Sequence, residues 1–520
     1  MGLRSPSPKL VRILLFSALA LFTFSITFNA WLCDDAFITF RVMDNFVHGY
    51  GLRWNVAERV QAFTNPLWLI ALAPVYWATH EIYFTSILFS ILISVGAVAI
   101  LAFGIARNAS AGMLAVIILA SSKAFVEFST SGMENPLTHL LMAFFAVAYF
   151  KEEFTSKRIV LLALFAAFAA VNRLDSILPF LPPLAYALWR ASDRGKGIVQ
   201  LSAGFLPLIA WELFSVIYYG FAFPNTAYAK LMNGLPETEL IRQGLFYFWN
   251  SLRNDPLTPV CVVLGVISGF RSAEWRVRML AVGILLNLIY VLMVGGDFMS
   301  GRFLTPALFC ASIVLGRETH LLPVSVASLA AAAILLFACL FPASPLRNRP
   351  SYDEGITRFV DSAGISDERA FHYRYTGLFA SHRDLGVQLH PWAAYGMQAR
   401  DSGIPLVMDT RVGMGLFGFY AGPGVHIVDS LALSDPLLAR LPRVDSDPRD
   451  VLPNQIHPTW RIGHIRRAIP EGYEDTLRTG ENHLADPEIA LLYDRLEIVT
   501  RGAIFSKQRG REIWRFRGGL

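Results

Sequence analysis

Two adjacent carboxylates, Asp34 and Asp35, follow directly on the first apolar stretch of the chain. Ionised side chains are costly beside hydrocarbon, and those that occur there tend to mark a working site. One of the pair suits a general base taking a proton from an acceptor hydroxyl, which calls for partial desolvation and hydrogen-bond reach. Neighbouring residues point in different directions on any regular element, so the other suits positioning of substrate or of a cation. The competing reading is a helix cap for the segment from Ala36, with a solvated neighbour. Between this pair and Trp68 come Arg41, Asn45, Glu58, Arg59 and Asn65, set among aromatics and glycines as in the lining of a substrate cleft.

Four further loops carry charge. Glu134 lies in FSTSGMENPL at the head of a helix starting near Pro136, where the helix dipole alone would favour it. Arg173 and Asp175, in VNRLDS, do not face each other on a helix at that spacing and belong to a turn. They form either a local charge pair or a site for a lipid phosphate, which a planar guanidinium binds well. The loop from Tyr218 to Lys230 holds aromatics and Asn225, suited to a sugar, and Lys230, suited to a phosphate. An interfacial aromatic belt with a snorkelling lysine explains it as well. GGDFMSGRF places Asp297 and Arg302 beside glycines that allow close backbone approach; an Asp–Arg pair is the alternative.

The elements that must position these residues are apolar. The chain is 54% hydrophobic and 16% charged, against about 25% charged in soluble domains, so it is an integral membrane protein. Apolar segments fall near 12–31, 83–106, 109–125, 136–150, 158–172, 176–189, 197–218, 257–270, 279–294, 303–316 and 320–343, giving about eleven spans. Placing the basic N-terminus in the cytoplasm puts the short basic loops around Arg107, Lys157, Arg194, Arg276 and Arg317 on the same side. The acidic and polar loops then share the outer face, as one active site requires. This holds if residues 66–79, only about 21 Å long as a helix, are re-entrant or lie on the surface. Residues 1–344 form the membrane domain, with a first outer loop at 32–82. Residues 345–520 form an extracytoplasmic mixed α/β domain, with strand-prone runs at 405–409, 425–429 and 495–505. The four cysteines read as neither a disulfide framework nor a metal motif. The net charge of +5 is a loop bias, and no basic patch interleaved with aromatics points to nucleic acid.

No Walker loop, Rossmann glycine fingerprint or HExxH motif is present. A donor carried in the membrane takes the place of a soluble nucleotide sugar. The sequence demands no cofactor; a divalent cation (Mg²⁺, Mn²⁺ or Ca²⁺) would suit paired carboxylates and a phosphate, but its ligands stay unassigned.

The stretch DDAFITFRVMDNFVHGYGLRWNVAERVQAFTNPLW, from Asp34 to Trp68, resembles the first outer loop of the GT-C glycosyltransferases. More closely it resembles that loop in the mycobacterial terminal β-(1→2)-arabinofuranosyltransferase family and its wider bacterial relatives. The family pattern runs through a DD pair, an Arg, a glycine pair and N-x-GERVE; here Ala57 and Gln61 depart from the last element. GFYAGPGVHIVDSLALSDPLLARLP (418–442) and WRIGHIRRAIPEGY (460–473) resemble the same family's C-terminal domain.

The resemblance implies a polytopic α-helical GT-C-like fold. It also implies inverting transfer of arabinofuranose, or a related sugar, from decaprenyl-phosphoryl-arabinose or a similar polyprenyl-phosphate donor to a hydroxyl of a cell-envelope glycan or surface acceptor. Asp34 is then the general base, with Asp35 supporting donor or acceptor. Arg173, Lys230 and Arg302 are candidates for the donor phosphate. The place of work is the outer face of the bacterial inner membrane. The alternatives are a lipid-linked-sugar transporter and a non-catalytic assembly or motility factor on the same scaffold.

Overall fold

In a computed structural model of the chain, residues 7–231, 234–347, 359–380, 387, 390–410, 412–445, 455–457 and 459–517 are described. Two compact units emerge. The first comprises Met1–Leu32, Glu81–Leu208 and Glu237–Arg383; the second comprises Cys33–His80, Ile209–Pro236 and Asp384–Leu520. The last long apolar helix ends at Leu340, while the compact units are cut differently from the 344 boundary. The first loop and the segment from Ile209 fold with the tail.

In the first unit every apolar stretch expected to span is helical. Local chemistry sets the ends. Ser7 caps helix Pro8–Phe28 through Leu10 N, and Asn108 caps Ala109–Ser121 through Ala111 N. Side-chain acceptors of this kind satisfy amides that have no partner within the helix. The helix from Arg194 is interrupted after Gly204 and resumes at Leu206, because Pro207 has no N–H to continue the ladder.

Helices Ala109–Ser121 and Thr305–Glu318 are buried along almost their whole length, as helices apolar on all sides must be. By contrast Leu92, Val263, Leu329 and Leu340 are more than half exposed on other helices. An apolar outer surface of this kind is what hydrocarbon covers, and the chain is a membrane protein. By length and composition three described helices can cross a bilayer, Pro8–Phe28, Ile82–Ile105 and Trp275–Met293. Arg194–Gly204 with Leu206–Tyr218 makes a fourth as a broken span. Several others, such as Ala109–Ser121 and Asn135–Tyr149, are shorter, so length alone does not reach the expected eleven.

The second unit contains helix Asp34–Val47, helix Pro66–Thr79 and a tail of short helices joined by irregular segments. The expected strands at 405–409 and 425–429 appear as Leu406–Met408 and His426–Val428, paired in parallel with Val407 opposite Ile427. The strand expected at 495–505 is instead the end of helix Pro487–Arg501. There Asp486 caps the amides of Glu488 and Ile489, and Tyr493, Leu496, Val499 and Thr500 bury one face. A helical period with a strong cap overrides the β-propensity of Ile498 and Val499.

Close helix packing in the first unit depends on glycine. A Cβ on Gly265 of helix Leu257–Arg271 would come within 2.6 Å of the Ala311 Cβ. Gly265→Leu should therefore destabilise the detergent-solubilised protein by roughly 1–3 kcal/mol through overpacking. Gly510→Ala, where an added Cβ meets nothing within 4 Å, should leave the melting temperature unchanged. Thermal unfolding of the two variants checks this.

Candidate active site

Helix Asp34–Val47 begins at Asp34 itself, with Cys33 as its N-cap. Asp34 is 7% exposed, and Asp35 is half-buried. Asp34 does not cap its own helix. Its carboxylate accepts from the amides of Gly415 (3.1 Å) and Leu416 (2.7 Å), the first turn of helix Met414–Ala421. Seven residues on, two helical turns along the same face, Arg41 donates to the Gly418, Val425 and Trp54 carbonyls at 2.7, 2.8 and 3.0 Å. Its guanidinium also lies 4.6 Å from the Trp54 ring centroid. An acid thus meets the positive end of the tail helix, and a guanidinium meets the Gly418 carbonyl further along it, as the helix dipole favours. Burial pushes Arg41 down to about 9, partly offset by Asp44; it stays charged at neutral pH. Asn45 donates to the Arg53 and Trp54 carbonyls.

The remaining first-loop residues are also held within the second unit. Asn65 is the N-cap residue of helix Pro66–Thr79, and its Oδ1 accepts from Thr39 at 2.9 Å. Arg59 donates to the carbonyls of Tyr218 and Gly502. Asn55 bonds both the N–H and the C=O of Ile427 in the second strand, so it acts as a strand partner. Glu58 accepts from Asn55 and faces Arg501 at 3.6 Å; burial raises its carboxyl despite Arg501 and Asn55. Asn225 opens helix Asn225–Leu231 and donates to the Ala432, Leu433 and Asp435 carbonyls, while Lys230 lies in the helix's last turn. Asp435 was not singled out from sequence. Burial and the Glu58 charge push it up to about 7, and it accepts from the Tyr473 hydroxyl at 2.8 Å.

In the first unit three loops converge. The Glu134 carboxylate, 1% exposed as a residue, accepts from Arg173 at 3.1 Å and Arg302 at 2.9 Å. Arg173 also bonds Asp175 at 2.7 Å, and Arg302 approaches Asp297 at 3.4 Å. Both local pairs named as alternatives therefore form, with Glu134 joining them. Burial lowers the Arg173 guanidinium, but Asp175 and Glu134 outweigh it and raise it. Two guanidiniums against three carboxylates leave a net charge of −1. A phosphate reaching either guanidinium would compete with these carboxylates for it. A second buried cluster, missed from sequence, joins Lys123 to Glu127 (2.7 Å) and Asp367 (3.0 Å), with Arg369 at 3.8 Å from Glu127. The sequence signal was the i,i+4 spacing of Lys123 and Glu127. Among the described residues no group of three or more His, Cys, Asp or Glu side chains is arranged to hold a metal.

Comparison with solved structures decides the fold. ArnT from Cupriavidus metallidurans bound to undecaprenyl phosphate superposes with a TM-score of 0.54 over 86% of this chain and 90% of ArnT, at 12% identity. The apo form gives 0.50 over 82% and 87%, at 13% identity. This chain has the ArnT fold, a GT-C membrane architecture. No family model matches the sequence. The chain is 24% identical to the terminal β-(1→2)-arabinofuranosyltransferase of Mycobacterium tuberculosis over 85% of its length and 81% of the relative's. It is likewise 24% identical to the enzyme of that name from Corynebacterium glutamicum, over 89% and 79%. The resemblance read from the first loop and the tail thus runs through most of the chain.

Two stability measurements test these clusters. Glu134→Ala removes the carboxylate that buried Arg302 and half-buried Arg173 share and should destabilise the fold by about 3–5 kcal/mol. Asp175→Ala should cost less, since that side chain is 19% exposed; denaturant unfolding of both variants checks the order. Asp435 titrates near 7 when folded and near 3.9 when unfolded. Between these values the folded state keeps a proton that the unfolded state releases, so stability falls as pH rises from about 4 to about 7. Asp435→Asn should flatten that fall in melting temperature.

Proposed function

We propose that the chain is a polyprenyl-phosphate-sugar-dependent glycosyltransferase that moves arabinofuranose from a decaprenyl-phosphoryl-arabinose-like donor to a glycan hydroxyl. The observation that carries this reading is the combination of an ArnT fold with likeness to arabinofuranosyltransferases over most of the chain. ArnT from Cupriavidus metallidurans is bound to undecaprenyl phosphate, the kind of leaving group such a transfer releases.

The Asp34–Asp35 pair supplies the base, with Asp34 the first choice. Its carboxylate takes the acceptor hydroxyl's proton as the hydroxyl oxygen bonds to the anomeric carbon. The bond from that carbon to the phosphate oxygen breaks, polyprenyl phosphate departs with the electron pair, and the anomeric centre inverts. Lys230 is one candidate cation for the donor phosphate; Arg173 and Arg302 are the alternatives, each exchanging a carboxylate partner for it. The short basic loops on one side of the bundle support placement in the inner membrane, with this chemistry on the extracytoplasmic side.

The test uses purified full-length protein in detergent with radiolabelled polyprenyl-phosphoryl-arabinofuranose and arabinan oligosaccharides. Wild type should transfer label, and replacing the base by Asn should reduce the rate by at least about 100-fold. Asp34→Asn should show that loss and Asp35→Asn a smaller one. Absence of transfer by wild type, or full activity in both variants, would sink the proposal. Binding of the donor without transfer would favour a carrier or assembly factor.

A further inference from the structure

We infer that the turn Gly413-Met414-Gly415-Leu416 is a positioning element for Asp34, setting the orientation and ionisation of the carboxylate from a point far along the chain. The catalytic part of this inference rests on the transfer reaction proposed above.

The geometry is two-pronged. The Gly415 amide takes one carboxylate oxygen of Asp34 and the Leu416 amide takes the other, so both the position and the plane of the group are set. The approach is too close for a side chain. A Cβ on Gly415 would lie 1.9 Å from the Asp34 carbonyl oxygen, and one on Gly413 would lie 2.6 Å from Asp34 Oδ2 and 2.3 Å from the Trp392 ring. Backbone atoms cannot move aside as a flexible side-chain end can, so the turn must carry glycine at 415. The far part of the same helix is tied to the same partner, because Arg41 holds the Gly418 carbonyl. The helix therefore cannot pivot away from Asp34 without breaking a buried arginine contact.

The chemistry follows from the donors. A carboxylate offers about four lone-pair directions, and two amides use two of them. Holding Asp34 in this way is compatible with its accepting a hydroxyl proton. Amide donors favour the charged form, the form a base must have before it acts. Removing them lets it take a proton at higher pH.

The experiment compares wild type, Gly413→Ala, Gly415→Ala and the control Gly510→Ala, all full-length in detergent. Gly415→Ala should lower kcat about a hundredfold, leave the donor KM within about twofold, and move the acid limb of the kcat–pH profile to higher pH. Gly413→Ala should act in the same direction, and the control should not. An equal loss at every pH with an unmoved limb would mark a merely structural role and overturn the inference.

A substrate-free readout uses protein carrying ¹³Cγ-labelled aspartate, with the Asp34 resonance identified by its absence in Asp34→Asn. That resonance should titrate at higher pH in Gly415→Ala than in wild type. Equal titration would overturn the inference. A shifted titration in a protein that transfers nothing would uphold the amide contact while removing the proposed reaction.

Discussion

Arg41 gives its guanidinium to three backbone carbonyls in a buried setting. Desolvating a guanidinium is expensive unless its donors are satisfied, so those carbonyls must stay where they are. Two of them, on Gly418 and Val425, belong to the tail, and the third, on Trp54, to the first loop. The helix that carries Arg41 also carries Asp34, whose carboxylate is met by tail amides. One contact thus makes the first loop and the tail a single folded unit, although they are separated by more than three hundred residues of chain. Gly415 lets the two helices meet at backbone distance, and Gly418 leaves room for the Trp54 ring.

The polar residues around this contact serve the fold as much as any ligand. Asn45, Asn55, Arg59 and Asn225 all donate to backbone carbonyls within the second unit. A sequence reader sees side chains suited to a sugar; in the structure they satisfy main-chain groups of the irregular tail. Among its described residues the tail has two short strands, so much of its backbone must find partners outside regular ladders. Asparagine and arginine supply them.

The first unit solves a different problem. Loops between apolar helices carry charges that cannot be left alone near hydrocarbon, and they are paired. Glu134 is shared by Arg173 and Arg302, while Lys123 lies between Glu127 and Asp367. Buried pairs are weak as sources of stability but strongly destabilising when one partner is removed. They act as locks on loop geometry.

The sequence by itself determined the helical membrane architecture, because hydrophobic runs and their caps are local signals. It also determined the two short strands, which stand out as short β-prone runs, PLVMD and VHIVD. The segment 495–505 escaped, since β-branched residues there obey a helical period anchored by Asp486, some way upstream. The motifs at 34–68 and 418–442 were legible as belonging to one family, but not as touching each other. Only the tertiary structure decided that Asp34 lies on the amides of Gly415 and Leu416, that Arg173 and Arg302 share Glu134, and that Asp435 sits beside Glu58. Periodicity and caps reach a few residues along the chain. Pairings across hundreds of residues are set by which buried polar groups must satisfy one another, and nothing local in the sequence encodes that.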